Sequence, residues 1–516
     1  MTVKSATLAI SVSTNPVAQT VVSGIQGLTF ANYILDANSS GEDVKFTTIP
    51  LEYNTGGGTA TNINNCILYD GSTALNTGSN VVNPTAAGSS TSFTLDTALT
   101  VSKNTTKTLA LKCNIVAGAT GTYRWGYDTT STPTITGVTS GQSVDPTETD
   151  SMGQAMSLTA NGSLTVAADS SAPSYGLVAA NSNATIGVFK FSAANEAIKL
   201  TKLGLKLTTT ASTTVSDLTQ ITLWDGSTQV GSLVFTGTTG TSTLSSDFIV
   251  PKDGDKLLTL KANLSKIGAS EPGSNGAVIA IDYIGSNNAQ GTGQSSGVTI
   301  NSTSGATAFS GARMFRSYPV FAKISVPSTT LVTGTMDLYR FSISANPSTE
   351  NGIGLHTLNI NVATSSGSNV SGTTTVTTLK VYAYTDSSFS TAVSGSYTAG
   401  QVVADITGLG NSGDNVAALS SILQIPAGST YYFRVVATVT LTAGTGTFSG
   451  SVSTKVTADT AYPSLATLMG TAAGISTSKL IWSPNATTSS AATHVDWTNG
   501  YGVSGLTNID TVTISK

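Results

Sequence analysis

One phrase recurs at domain-sized spacing and constrains the fold more than any other feature. Leu218 to Thr228 reads LTQITLWDGST, Asn65 to Thr73 reads NCILYDGST, and Leu379 to Ser387 reads LKVYAYTDS. Apolar and β-favouring residues followed by an Asp-Gly pair spell a strand running into a tight turn. Asp70 and Asp225 stand 155 residues apart, and Asp225 and Asp386 stand 161 apart. A period of that size is a whole domain, not the turn of a solenoid. The chain therefore reads as three copies of one domain.

The strands around the phrase recur in the same order. Each copy opens on a short alternating strand, Thr7 to Ser13, Ser163 to Ala168 and Val320 to Val326. A proline follows each (Pro16, Pro173, Pro327) and ends its pairing. A strand with an aromatic comes next: Leu28 to Leu35, Ile186 to Phe191 and Leu338 to Ile343. Late in each copy lies the clearest alternation, Lys107 to Ile115, Lys256 to Leu264 and Tyr431 to Val439. No stretch carries a 3.6-residue period long enough for a core helix. Many short strands and Gly-rich turns predict an all-β chain of three tandem immunoglobulin-like β-sandwich domains. The boundaries are 1–157, 158–315 and 316–477, with a C-terminal tail over 478–516. No flexible linker separates the copies, so they are expected to stand end to end as a semi-rigid rod.

Composition narrows the function. Charged residues make up 10% of the chain, against roughly a quarter in ordinary soluble proteins. A net charge of −4 gives no basic field for nucleic acid or an anionic membrane. No apolar run approaches the ~18 residues of a membrane span. Thr, Ser and Gly fill the exposed faces and turns instead, as in extracellular all-β proteins. No signal peptide is visible, because Met1-Thr2-Val3-Lys4 leads straight into strand-like sequence. An exported chain carries one, so the expectation is a processed form or a fragment; the alternative is a cytosolic protein.

Several stretches carry a family resemblance. They are Asp169 to Leu207, Leu218 to Gly231, Arg313 to Ala345, and the tail segment Leu480 to Val503. They resemble large, secreted, Thr/Ser-rich repeat proteins of candidate-phyla-radiation bacteria (Parcubacteria and relatives). The resemblance covers most of the chain from about Leu164 and is weaker over the first copy. It implies a structural role at the cell surface, in a surface layer or an extracellular fibre, and brings no catalytic residues with it.

Few residues offer chemistry. Cys66 shares a strand face with Leu68, and Cys113 shares one with Leu109, Leu111 and Ile115. Both thiols therefore point into one core, and an oxidising compartment would join them in a disulfide. The alternative is two reduced thiols acting as small hydrophobes. The only histidines are His356 and His494. Gly293-Gln294-Ser295-Ser296-Gly297 matches the GxSxG pattern, yet a nucleophile elbow needs a strand before it and a helix after it, and neither is indicated. No catalytic site is expected. Asp36, Glu42 and Asp43 cluster in one loop and Asp253 and Asp255 in another; they could hold structural Ca²⁺, against the plainer reading of turn-capping carboxylates. No other cofactor is indicated. Asn-X-Ser/Thr triplets, Asn369 among them, permit glycosylation and no more.

The resulting expectation is an extracellular structural protein that assembles with itself into a cell-surface lattice or filament. The tail supplies Trp482, Trp497 and Tyr501 and an apparent free strand, Ile509 to Ile514, as a connector to a neighbouring subunit or the adjoining domain. Folding back on the third domain is the alternative. A second reading is an adhesin that binds a surface glycan or host protein, with Tyr123, Trp125 and Tyr127, or Trp482 and Trp497, as stacking platforms.

Overall fold

The computed structural model describes residues 5–516 apart from 89, 132, 150, 209–212, 367–371, 443–448 and 464–468. The start of the chain and the Asn369 triplet lie outside the described residues. Among the described residues the regular structure is β-strand, with four single-turn 3-10 segments and no α-helix. Alternating Thr or Ser with Leu, Val and Ile gives each strand one face for a core and one for water.

One strand order occurs three times. In the first segment Ala9–Val12, Leu28–Asp36, Thr106–Ile115 and Ile63–Asp70 lie side by side. In the second the same places are filled by Ser163–Ala168, Asn183–Ala194, Gly254–Leu264 and Leu218–Asp225. In the third they are filled by Tyr318–Ile324, Gly334–Asn346, Thr430–Thr442 and Thr373–Tyr384. A second layer forms around Val44–Gly56, Ile198–Leu207 and Ile353–Ser366 respectively. Each unit has its own core, and among the described residues a small fourth cluster forms around Trp497 in the tail. The second unit's core, for example, combines Phe189, Phe191, Leu258 and Leu260 of one layer with Leu203, Leu205, Ile281 and Tyr283 of the other. The architecture is a series of all-β sandwich units.

The units close in a shared way. Gln19–Val22 pairs in parallel with Met156–Thr159, and Gly176–Ala179 pairs in parallel with Ala312–Phe315. In the third unit the parallel pairing among the described residues is one bridge, Thr330 to Ser515. Each returning strand then feeds the next unit within a few residues, leaving three residues after Thr159 and two after Phe315.

Register places two of the three recurring aspartates together. Leu68 lies opposite Leu111, Leu223 opposite Leu260, and Val381 opposite Val435. Asp70 and Asp225 are both two residues further on, and both pair with a lysine of the next strand: Lys107 at 2.5 Å and Lys256 at 2.7 Å. The same place in the third unit belongs to Ala383, opposite Phe433, and Tyr431 stands where the lysines were. Asp386 is three residues past the equivalent position, in a longer loop, so its alignment with the other two is corrected.

The strands of the tail take the alternative and fold back on the third unit. Ile481–Ser483 pairs with Ile353–Ser366, and Val512–Ser515 pairs with Gly450–Val456. Trp482, Leu506 and Ile514 belong to the third core. The final strand, which looked unpartnered in sequence, is a regular member of the third unit's sheet. Phe315, placed in the second domain by the sequence boundaries, also packs in the third core.

Candidate functional site

A network of polar side chains holds the tail and the junction it covers. Asp459 organises the tail: its carboxylate accepts N–H donors from Lys479, Leu480 and Gly500 at 2.8, 3.1 and 2.9 Å. Those bonds present Trp482 and Trp497 inward, and both are fully buried. The Trp482 indole donates to Asn499 O at 2.8 Å and lies 4.9 Å from the Phe315 ring. The Trp497 indole donates to Ala491 O at 2.9 Å. Buried indoles with satisfied N–H groups are packing residues. As connector residues to another subunit Trp482 and Trp497 are therefore corrected, because neither presents a surface.

Tyr501 reaches the second unit. Its ring stacks on Tyr175 at 4.9 Å and meets Tyr462 edge-on at 5.0 Å. Gly502 follows with φ +76, and a Cβ there would stand 2.3 Å from the Tyr175 ring, so the close approach requires glycine. Beside this aromatic trio lies Arg313, fully buried at the end of the second unit. Its Nε donates to Gly276 O at 3.3 Å and its Nη1 to Thr498 Oγ1 at 3.1 Å. The guanidinium also sits 5.0 Å from the Phe315 ring and 5.1 Å from the Tyr462 ring. Arginine suits this place because its planar cation stacks on rings and is weakly hydrated. Arg316 continues the clamp: its backbone N–H donates to Asn275 Oδ1, and its guanidinium bonds Glu350 Oε2 at 2.7 Å and Ala486 O at 2.8 Å.

The sequence reading missed these two arginines. A signal existed: the chain has five arginines, and four of them fall between Arg313 and Arg434.

The first unit holds the disulfide. Cys66 and Cys113 are bonded, with Cα atoms 4.1 Å apart, on neighbouring strands of one sheet. A bulge at Asn65, with φ +48, sends the Cys66 backbone bonds outward to Val82 and leaves its side chain facing Cys113. Ile221 faces Ala262, and Leu379 faces Ala437, at the matching places of the other units.

The acidic loop does not gather around a cation site. Asp36 accepts Asn38 N–H, Asp43 accepts Lys103 N–H, and Glu42 accepts the N–H groups of Thr139 and Ser140. Each carboxylate caps a different turn, and among the described residues no group of three His, Cys, Asp or Glu side chains could hold a metal. The calcium expectation for Asp36, Glu42 and Asp43 is corrected on that ground. Asp253 and Asp255 likewise separate, toward Asn195 N–H and the Lys190 ammonium.

The GxSxG loop proves to be the same device as the Glu42 turn. Glu196 accepts Ser295 and Ser296 N–H at 2.9 Å each, the Ser296 hydroxyl at 2.8 Å, and Gly162 N–H at 2.8 Å. A Cβ on Gly293 would lie 2.5 Å from that carboxylate. Burial disfavours the ionised form of Glu196, but the donors outweigh it and its pKa falls below the usual range. His356 and His494 are elsewhere. The His356 ring bonds the Thr357 hydroxyl at 2.8 Å and lies 5.6 Å from Trp497, with burial lowering its pKa. It lines a largely apolar cleft of about 430 Å³ with Val416, Ala472, Ile481 and Ala492. His494 is exposed and accepts Ala491 N–H.

Tyr123, Trp125 and Tyr127 are corrected as stacking platforms. All three are fully buried, and Trp125 stacks on Tyr53 at 4.6 Å inside the first core.

No protein-family model and no curated protein match the chain. Among solved structures, the C-terminal domain of the antigen I/II polypeptide BspA from Streptococcus agalactiae is similar over 57% of this chain and 95% of that one, at 11% identity and TM-score 0.17. The C-terminal domain of the antigen I/II-family protein AspA from Streptococcus pyogenes covers 57% and 95%, at 12% identity and TM-score 0.15. Three N-terminal domains of the outer capsid protein Hoc from bacteriophage RB49 cover 87% and 91%, at 9% identity and TM-score 0.15. Likenesses at TM-scores this low carry no argument about this chain, and its all-β sandwich architecture stands on the strand pairing described above.

Proposed function

We propose that the chain is an extracellular structural protein, three copies of one sandwich domain, that assembles with itself into a cell-surface layer or fibre. The observation that carries this reading is how the units are joined. The first link is held on both sides: the Ser23 hydroxyl donates to Ala160 O at 3.3 Å, and Gly162 N–H donates to Glu196 at 2.8 Å. The second is clamped by Arg313, Arg316 and the tyrosine trio. Joints fixed this way hold each unit in one orientation, which reduces the ordering entropy lost when copies pack regularly. Low charge weakens repulsion between copies. The Cys66–Cys113 disulfide fits an oxidising, extracellular compartment.

The adhesin reading loses its aromatic platforms to the cores. A structural role also suits the histidines, each bonded to its own neighbourhood rather than to a serine–carboxylate pair. Sedimentation velocity over a wide concentration range tests the proposal. Growth into large species, unaffected by a calcium chelator, is expected; a monomer at every concentration refutes self-assembly.

A further inference from the structure

The three units serve as controls for one another, and the outer face of the third departs from the pattern. In register, Arg340 lies opposite Arg434, which lies opposite Tyr382. The same places hold Asn32, Ala110 and Tyr69 in the first unit, and Val188, Thr259 and Trp224 in the second. Two small or neutral positions have become two arginines.

A second departure falls on the same spot. The first two units turn tightly at Asp70-Gly71 and Asp225-Gly226, whereas the third inserts residues 385–400 before its next strand, Gln401–Thr407. Asp386 ties the start of that insertion by accepting from the N–H and hydroxyl groups of Ser388 and Ser390 and the N–H of Thr391. The turn holds Phe389 at φ +58, a conformation unfavourable for a bulky side chain. Its ring is thereby set 4.4 Å from the Arg340 guanidinium and edge-on to Tyr384 and Tyr432, at 5.6 and 6.1 Å.

The two guanidinium groups carry one charge more than the carboxylate they share. Asp337, almost fully buried, is shared by Arg340 at 2.5 Å and Arg434 at 2.7 Å. Both guanidinium groups use their Nε and Nη2 edge on it. Arg434 Nη1 makes only a long 3.4 Å contact with Tyr384 Oη. Nearby Lys380 is paired with Asp405, and Asp386, still an anion, turns its carboxylate into its own loop rather than toward the arginines. Two cations thus share one carboxylate beside half-buried aromatic rings.

We propose that this face of the third unit binds a carboxylate-bearing sugar. The apolar C–H face of the sugar packs on Phe389 and Tyr432, and its carboxylate meets the outer edges of Arg340 and Arg434 as a charge-assisted pair. The site is independent of assembly: a chain that assembles but binds no acidic sugar refutes this proposal alone. The test is affinity electrophoresis of the full chain in gels containing polygalacturonate, alginate, hyaluronate or neutral dextran, at about 0.15 M salt to screen non-specific attraction. At least one acidic polymer should retard the chain and dextran should not. Arg340→Gln and Phe389→Ala should each weaken retardation about tenfold, the scale of one charged contact, while Trp224→Ala in the second unit changes nothing. Arg434→Lys, which keeps the charge but not the planar fork, should weaken it too. Phe389→Ala decides the matter if Arg340→Gln fails to fold. No retardation by any acidic polymer, equal retardation by dextran, or retardation unchanged in Phe389→Ala overturns the proposal.

Discussion

Replacing Arg313 by methionine should uncouple the second and third units. Methionine keeps the length and apolar stem of the side chain and removes the cation. Lost with it are the donors to Gly276 O and Thr498 Oγ1 and the stacking on Phe315 and Tyr462. Losing a hydrogen bond from a charged donor costs about 1.5–3 kcal/mol. Each desolvated cation–π contact contributes about 0.5–2 kcal/mol. Relief from burying a charge offsets part of the loss. The net expectation is about 3 kcal/mol, which for units of this size lowers a melting midpoint by about 6–12 °C. Differential scanning calorimetry reads it directly. The native chain should melt the second and third units together, and Arg313→Met should split them into two transitions. A single transition within about 1 °C of the native one would show that Arg313 does not couple the units, and the description of that joint would be wrong.

Two further perturbations address other parts of the frame. Replacing Cys66 and Cys113 together by alanine should destabilise the first unit by about 4 kcal/mol on the chain-entropy estimate for a 47-residue separation, with the other two units unchanged by calorimetry. Glu196→Gln should cost the second unit about 2–3 kcal/mol at neutral pH, because a charged acceptor of four donors becomes a neutral one. Its folded pKa is lowered, so its contribution is present above the unfolded carboxylate value and is lost as pH falls through the folded value. The difference between native and Glu196→Gln midpoints should therefore shrink below about pH 4, and a constant difference would contradict the ionised-carboxylate account.

Much of the frame is legible in the sequence because a strand advertises itself locally. The alternation in Lys107 to Ile115 and Lys256 to Leu264 is a two-residue rhythm, and it fixes which side chains, Cys113 included, turn inward. The same rhythm at Cys66 brings both thiols to one core. Asp386 misled because a turn motif looks alike whether the turn is tight or opens a long insertion; only cross-strand register separates them. Asp36, Glu42 and Asp43 are near one another in sequence, but the chain turns between them and each carboxylate is taken up by a different set of backbone N–H groups.

The tail and the junction were the least legible. Strands as short as Ile481–Ser483 show no periodicity, so nothing local told that Trp482 faces the third core. Arg313 and Thr498 are 185 residues apart, and their contact exists only once both units are folded. Phe389 and the arginine pair were hidden for a related reason: Arg340 and Arg434 meet through register, and each alone reads as a solvated surface charge.

The most direct test of the whole account is electron microscopy of the purified chain at concentrations where sedimentation shows growth. Regularly repeating sheets or filaments of uniform width are predicted, with the same conformation at the joints after residues 159 and 315 in every copy. Dispersed single molecules that bend variably at those joints would contradict it.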